Sequence, residues 1–323
     1  MRVRSATPRA LKTVRVLVVT GAVVAYALAM LGSWTRINSA GMTCPDWPLC
    51  NGAVVPVLHG GVVLEWLHRL LAFCETFVVG GLVAVGLRLR SAIPVLGKLL
   101  LALVAVFTLQ VLLGGATIAL ANSPLSVMMH WGAAMLLLTV LVTLAVVVFT
   151  YDPRTAAPVF AGRRGTAALA LASAWAFAAM CVGAYVSSSG AGLACVSVPG
   201  CGPGLLGDTV PQTLQMTHRL LAAGLFVFAL LSAAVLPPAE RRSGIALRVA
   251  IVLIALQITL GVLNVLWSLP TALREAHAAN AIATFLVLVV ATVLSSLDVA
   301  EAAALSDVPT RIPAARASPE RYA

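Results

Sequence analysis

The chain has 323 residues, of which 61% are hydrophobic and only 10% carry a charge, and its mean hydropathy is +1.02. Soluble globular domains contain about 25% charged residues, so this composition excludes an ordinary soluble domain. The net charge of +10 does not indicate nucleic-acid binding, because the basic residues cluster in short loops between apolar runs. That distribution is typical of membrane proteins, whose cytoplasmic loops are enriched in lysine and arginine.

Eight apolar runs are long enough to cross a bilayer, for which about 20 residues are needed. Backbone groups in lipid must be hydrogen-bonded within their own segment, so each run is predicted to be a transmembrane helix. The predicted helices cover residues 14–33, 62–87, 96–121, 125–150, 166–187, 214–236, 245–269 and 272–297. The first run contains the cleavage-like sequence Ala27-Leu28-Ala29, but we expect it to be retained as a helix, because it is close to full spanning length.

The basic residues predict how the chain is oriented. With eight spans, nearly all of them fall on one side, in the two terminal segments and in the loops after the second, fourth and sixth helices. These residues are Arg2, Arg4, Arg9, Lys12, Arg15, Arg88, Arg90, Lys98, Arg154, Arg163, Arg164, Arg241, Arg242, Arg248, Arg311, Arg316 and Arg321. The opposite loops hold little more than Arg36. We therefore expect both termini to be cytoplasmic.

The two halves of the sequence align with each other. Cys44 and Cys50 match Cys195 and Cys201, and Gln110 and His130 match Gln257 and His277 at one common offset. Each half holds an even number of spans, so the halves share one orientation, as in parallel internal repeats. The predicted fold is an all-α polytopic membrane protein with two tandem four-helix bundles. The predicted units are a cytoplasmic tail (1–13), an N-terminal bundle (14–150), a cytoplasmic linker (151–165), a C-terminal bundle (166–297) and a disordered cytoplasmic tail (298–323).

Four histidines are the main candidates for a functional site, because histidine inside a membrane-length helix is rare and usually functional. They lie near the outer ends of the second, fourth, sixth and eighth predicted helices, and they are His68, His130, His218 and His277. Each bundle thus holds two histidines on different helices, an arrangement suited to haem ligation, whereas zinc usually takes three or four protein ligands. Hydrogen bonding between helices is the alternative role. His59 has no counterpart and is interpreted as a surface residue.

Glu65 distinguishes the first half from the second. It lies three residues before His68, on the same helical face, and the matching residue of the second half is Gln215. A carboxyl group beside a metal cofactor in apolar surroundings can move protons. Hydrogen bonding to a neighbouring helix is again the alternative, but glutamine could serve that role in both halves. We therefore predict that Glu65 is catalytic and that the chemistry takes place in the first bundle.

Other polar residues near the histidines have less specific interpretations. Arg69 and Arg219 each follow a histidine but point about 100° away from it, so pairing with haem propionates and reaching to the membrane interface are equally open. Arg274 lies on the face of His277 and is predicted to bind a propionate. Gln110 and Gln257 lie within helices and are predicted to hold neighbouring helices together.

The cysteine pairs Cys44/Cys50 and Cys195/Cys201 have identical spacing, in loops predicted to face outside. Disulfides persist on that side of a bacterial membrane, so each pair is predicted to close a small loop over its bundle. A redox-active role stays open, because the first pair lies in a tight exposed loop and exposed pairs are labile. The two remaining cysteines lie within predicted helices and are interpreted as apolar filling.

Taken together, these features resemble the haem A synthases over about residues 14–297. The features are Glu65-x-x-His68, His130, His218, His277, the two cysteine pairs and the four-plus-four repeat. The resemblance implies oxidation of the C8 methyl group of haem O to a formyl group, giving haem A for terminal oxidases. It also implies a bacterial cell membrane location, a haem b cofactor on His218 and His277, the substrate haem on His68 and His130, and a catalytic contribution from Glu65.

The resemblance also implies partners and leaves alternatives. The expected partners are haem O, the haem O synthase (a protohaem farnesyltransferase), oxidase assembly factors, an electron donor or acceptor that the sequence does not identify, and the lipid bilayer. A di-haem b electron carrier without haem-modifying activity fits the same residues. A transporter built from parallel repeats is a third possibility. Haem absorbance of the purified protein would distinguish the transporter from the synthase and the electron carrier.

Overall fold

The computed structural model describes residues 8–152, 160, 164–202, 206–235 and 241–306. Within these residues there are eight long helices: α1 (Pro8–Ile37), α2 (Gly60–Gly86), α3 (Val95–Ala119), α4 (Pro124–Thr150), α5 (Arg164–Ser188), α6 (Val210–Val235), α7 (Arg241–Leu266) and α8 (Thr271–Ser306). Short 3₁₀ turns follow α2 at Leu87–Leu89 and α5 at Ala191–Leu193. All eight helices are long and apolar enough to cross a membrane, so the predicted all-α membrane fold is confirmed.

Most helix ends agree with the predicted ones within a few residues, and the largest differences are at the ends of the chain. Helix α1 begins at Pro8, and α8 continues to Ser306. Apolar runs mark only the part of a helix that lies in lipid, whereas a helix can continue through polar residues beyond the bilayer. Residues 298–306 of the predicted disordered tail are therefore helical. The predictions for residues 1–7, for most of the linker and for residues 307–323 lie outside the described residues.

The turns on the side of the cysteine loops are built alike in the two halves. Between α3 and α4, Ala121 and Asn122 have positive φ angles of 48° and 53°, and between α7 and α8, Ser268 and Leu269 have φ angles of 58° and 61°. In each turn the second of these residues donates its backbone N–H to a carbonyl near the end of the preceding helix, at 2.7 Å and 2.8 Å. Equivalent positions thus have equivalent backbone conformations, which supports the predicted repeat.

Helix contacts form two closed rings. In the first ring α1 and α3 each pack against α2 and α4, and in the second ring α5 and α7 each pack against α6 and α8. The rings meet where α4 packs against α5 and α8, and where α1 packs against α8. Helices α4 and α8 are therefore central: 56% and 50% of their spans is buried, against 11% for α3. Each bundle consequently carries one of its histidines on a central helix and the other on an outer helix, α2 or α6.

Candidate functional site

The two histidines of each half lie near each other. The ring centroids of His218 and His277 are 6.3 Å apart, with the ring planes inclined by 68°. Imidazole nitrogens bind metals at about 2 Å, so one metal ion fits between these rings. In the first half His130 lies close enough to His68 for electrostatic interaction. No cluster of three or more His, Cys, Asp or Glu side chains suited to a metal ion occurs in the described part of the chain.

Each of the four rings packs against a glycine of the preceding helix, and we call this glycine a seat. The virtual Cβ of the seat is the position that an alanine side chain would take, and it lies very close to the Cε1 atom of the ring. The seats are Gly32 for His68 (3.0 Å), Gly114 for His130 (3.2 Å), Gly183 for His218 (2.7 Å) and Gly261 for His277 (3.3 Å). Cβ atoms almost never approach other atoms within 3.0 Å. A side chain larger than that of glycine at a seat would therefore crowd the histidine ring that packs there.

The Nδ1 atoms of the four histidines differ in whether they have a hydrogen-bond partner. The Nδ1 atoms of His68, His130 and His277 are buried without a hydrogen-bond partner. In His218 the Nδ1 atom lies 3.1 Å from the carbonyl oxygen of Ala179, which is the kind of contact that orients a metal-binding imidazole. Buried polar atoms are rarely left unpaired. The histidine pairs and the glycine seats together fit two histidines holding an iron porphyrin in each bundle.

Replacing Gly183 with alanine is expected to displace the ring of His218, because the new Cβ would lie 2.7 Å from Cε1. Overpacking of this kind costs about 1–3 kcal/mol, so haem affinity in the second bundle should fall by about tenfold or more. The measurement is the haem content and low-spin absorbance of the purified variant. Gly80→Ala is the matched control, because nothing lies within 4 Å of its virtual Cβ. Equal haem content in the two variants would contradict the seat's role.

The two glutamines predicted to join helices do so in different ways. Gln257 of α7 accepts a hydrogen bond from the side chain of Asn280 on α8, at 2.8 Å. Gln110 of α3 has its side-chain nitrogen 3.5 Å from Nε2 of His130 on α4, a separation at which a hydrogen bond is weak. Gln110 is therefore a polar group close to His130, the histidine on the central helix of the first bundle. Its counterpart Gln257 is hydrogen-bonded to Asn280 instead.

The Glu65 carboxylate is buried, with 4% of the residue exposed, and it ties α2 to the cysteine loop. Its Oε2 accepts hydrogen bonds from the backbone N–H of Cys44 and from the hydroxyl of Thr43, both at 2.9 Å. Its Oε1 lies 2.7 Å from the guanidinium of Arg69. The carboxylate therefore has a structural role, one turn before His68, whatever it does in catalysis.

Gln215 makes the same connection in the second half. Its Oε1 accepts from the backbone N–H of Cys195 at 2.5 Å, and its Nε2 donates to the carbonyl of Gly192 at 2.8 Å. An amide is thus sufficient to anchor a cysteine loop to its helix. What Glu65 adds in the first half is charge and the capacity to take up a proton, which an amide lacks.

Arg69 and Arg219 each bind the cysteine loop of their own half. Arg69 donates to the carbonyls of Cys44 (2.8 Å), Asp46 (2.6 Å) and Leu49. Arg219 similarly donates to the carbonyls of Cys195 and Ser197, both at 2.7 Å. Each guanidinium therefore holds the cysteine loop of its own half over the end of the bundle, and is engaged there by several acceptors.

Both predicted disulfides are present, joining Cys44 to Cys50 and Cys195 to Cys201. The first loop is held further by the carboxylate of Asp46, which accepts from the backbone N–H groups of residues 51 and 52 at 2.6 Å and 2.8 Å. These hydrogen bonds lower the pKa of Asp46 below its ordinary value, so its carboxylate stays ionised and bonded at neutral pH.

A polar cluster occupies the outer end of the boundary between the two bundles. The Ser33 hydroxyl of α1 donates to Glu275 of α8 at 3.0 Å, and Arg36 donates to the side chain of Ser187 on α5 at 2.9 Å. Arg274, the predicted propionate partner, lies near both Arg36 and Glu275. Ser33 directly follows the glycine seat of His68, so the cluster links the surroundings of one histidine pair to those of the other.

Sequence reasoning missed the glycine seats and two buried carboxyl groups. The seats could have been found by looking for glycines that recur with the histidines at the offset of the repeat, as Gly114 and Gly261 do. Glu75 and Glu275 are 1% and 8% exposed. Both are acidic residues inside predicted spans, which is itself a signal of function.

Comparison with known proteins agrees with this geometry. The family model COX15-CtaA, described as cytochrome oxidase assembly protein, matches residues 15–62 and 58–289. A relative from Bacillus licheniformis named heme A synthase is 28% identical over 256 residues, which are 76% of this chain and 84% of the relative. Relatives of the same name come from Geobacillus kaustophilus (28% over 266 residues, 79% and 84%) and Shewanella oneidensis (26% over 303 residues, 80% and 90%). The family match spans both bundles and all four histidines, and the chain therefore belongs to the COX15-CtaA family of cytochrome oxidase assembly proteins.

Proposed function

We propose that this protein is a haem A synthase, which oxidises the C8 methyl group of haem O to a formyl group. The observation that carries the proposal is an asymmetry within a chain of this family. Two histidine pairs are present, and the matching position one turn before the histidine of the outer helix holds a buried carboxylate, Glu65, in the first bundle and a buried amide, Gln215, in the second. A cofactor site and a substrate site built on one repeat would differ in this way.

The second bundle is proposed to bind haem b through His218 and His277. The 6.3 Å separation of their rings supports this assignment, as does the contact of His218 Nδ1 with a backbone carbonyl, which leaves the other ring nitrogen for iron. Arg274 is the proposed partner of a haem propionate. Haem bound at such a site supplies one-electron redox chemistry, and the protein supplies its position and its apolar surroundings.

The first bundle is proposed to hold the substrate haem between His68 and His130. Oxidation of a methyl group releases protons, and in an apolar site they need an acceptor. The proposed acceptor is the Glu65 carboxylate, which the hydrogen bonds from Thr43 and Cys44 hold in a fixed position. The disulfide loop and Arg69 cover the outer end of the bundle, which limits access of water from that side.

The cysteine loops are proposed to face the outside of a bacterial cell membrane and both termini the cytoplasm, because the basic residues lie on the other side from these loops. A reporter fused after Arg90 is expected to read cytoplasmic, and one inserted at Gly52 is expected to read external. Two reporters are compared at the same two sites. Alkaline phosphatase is active only outside the cytoplasm, whereas green fluorescent protein is fluorescent in the cytoplasm. The reverse pattern at both sites would overturn the orientation.

The function is tested by pigment analysis of cells that make the protein together with a source of haem O. Such a source requires a protohaem farnesyltransferase, which we propose as the enzyme that supplies the substrate, and the product would pass to oxidase assembly factors. Extraction and chromatography of haems should show haem A that depends on this protein. A di-haem electron carrier would leave haem O unchanged, and that result would refute the synthase proposal.

A further inference from the structure

Glu75 of α2 is a buried carboxyl group that the proposed mechanism does not use. It is 1% exposed, and neither of its oxygen atoms has a hydrogen-bond partner. Acidic residues inside membrane spans are rare, and they almost always face the interior of the bundle, where they mark functional sites. An unpaired polar group in an apolar core is destabilising unless a ligand supplies its partner.

Glu75 lies on the same face of α2 as the proposed substrate ligand His68. The two residues are seven positions apart, close to two full helical turns, and their Cα atoms are about 10 Å apart along the axis at 1.5 Å per residue. Glu75 is the deeper of the two in the membrane. Its Oε1 lies 3.3 Å from the virtual Cβ of Gly21 on α1, and the side chain of Leu141 on α4 is 3.4 Å from that same point. The carboxyl group thus faces the interior of the first bundle.

The second bundle has no equivalent carboxyl group. The residue that matches Glu75 is Leu225, which is 5% exposed, and the residue that matches Gly21 is Ala172, which is fully buried. The first bundle therefore has a carboxyl group next to a glycine at this place, whereas the second bundle has a leucine next to an alanine. The proposed substrate bundle and the proposed cofactor bundle thus differ at this position, as they also differ at the matching positions of Glu65 and Gln215.

The chemistry of haem O supplies a partner for such a group. Haem O carries a hydroxyethylfarnesyl chain where protohaem has a vinyl group, and the hydroxyl is the one polar group on that edge of the macrocycle. The propionates occupy the opposite edge, and as charged groups they favour the outer aqueous end of the bundle. The edge with the hydroxyl then points towards the middle of the membrane, which is the direction from His68 to Glu75.

We propose that the Glu75 carboxyl group accepts a hydrogen bond from the hydroxyl of the hydroxyethylfarnesyl chain and thereby selects haem O over protohaem. The inference rests on the proposed function, because it assumes that the first bundle takes the substrate haem. A carboxyl oxygen can accept this hydrogen bond whether or not the group carries a proton. Protohaem would leave the buried group unpaired, and such sites discriminate against the analogue that lacks the hydroxyl.

The test compares Glu75→Leu, which copies Leu225, with Glu75→Gln, which keeps a hydrogen-bond acceptor. The purified full chain, with haem b in its second bundle, is titrated separately with haem O and with protohaem, and binding is followed by absorbance. The preference for haem O, expressed as the ratio of the two Kd values, should fall by about three- to tenfold in the leucine variant. The glutamine variant should retain most of the preference.

Two further measurements make the outcome decisive. Haem b content of each variant reports whether the chain is folded, and Glu75→Met provides a second apolar replacement of similar length. An unchanged preference in both apolar variants would overturn the role of Glu75 and leave the synthase proposal intact. Failure of the unaltered protein to bind or convert haem O would instead refute the proposed function, and the inference with it.

Discussion

Replacing His277 or His218 with alanine is expected to remove stably bound haem b from the purified protein. Each substitution deletes one of the two side chains that would hold the haem iron, and the remaining ring, whose centroid lies 6.3 Å from that of the deleted one, would have to hold it alone. The low-spin absorbance of a bis-histidine haem should be lost, together with nearly all of the haem in the second bundle. The measurement is the reduced-minus-oxidised spectrum and the haem-to-protein ratio.

His59→Ala is the control for these variants. His59 lies at the start of α2, outside both histidine pairs, and its side chain makes no capping hydrogen bond. Its replacement should leave the spectrum unchanged. An unaltered low-spin spectrum in both His218→Ala and His277→Ala would refute the proposed ligands.

Glu65→Gln is expected to separate folding from catalysis. Gln215 already makes the equivalent hydrogen bond to the backbone N–H of a cysteine, so an amide at position 65 should keep the loop in place. The amide cannot take up a proton, and general acid–base groups contribute about 10²–10⁴ in rate. Conversion of haem O should therefore fall by about that factor, while haem b stays at its normal occupancy.

The control for this prediction is Thr43→Val, which removes one hydrogen bond to the carboxylate and keeps its charge. We expect this variant to lose much less activity than Glu65→Gln. Near-normal production of haem A by Glu65→Gln would show that the carboxylate only anchors the loop. Loss of haem b from the same variant would show that the substitution disturbs the fold beyond the first bundle.

The fold could be predicted from the sequence because the bilayer imposes strong constraints. Long apolar runs have to be helices in lipid, and basic loops and matching motifs then give the number of spans and the repeat. The ends of α1 and α8 were predicted less well, because hydropathy does not show where a helix stops outside the membrane. The choice of α4 and α8 as central helices was not predicted, since it depends on contacts between helices that one sequence does not display.

The site was predicted in its residues and only partly in its geometry. Histidines, cysteines and Glu65 stand out in an apolar sequence because polar groups in membrane spans are rare. Glycine seats do not stand out in the same way, because glycine is common in membrane helices and usually reflects helix packing. The contacts of Arg69 and Arg219 were missed because an arginine beside a histidine gives no indication that a distant loop will fold over it.

Corresponding helices of the two halves meet across the boundary between the rings. The central helices α4 and α8 are equivalent members of the repeat and pack against each other, and the contact of α4 with α5 corresponds to that of α8 with α1. A surface that pairs with its own copy is the defining property of a two-fold homodimer. Two four-helix subunits of a homodimer would give this arrangement of helices if they were joined into one polypeptide. In the homodimer any substitution would have changed both sites at once. After the subunits were joined, the copies at positions 65 and 215, and at 75 and 225, were free to diverge.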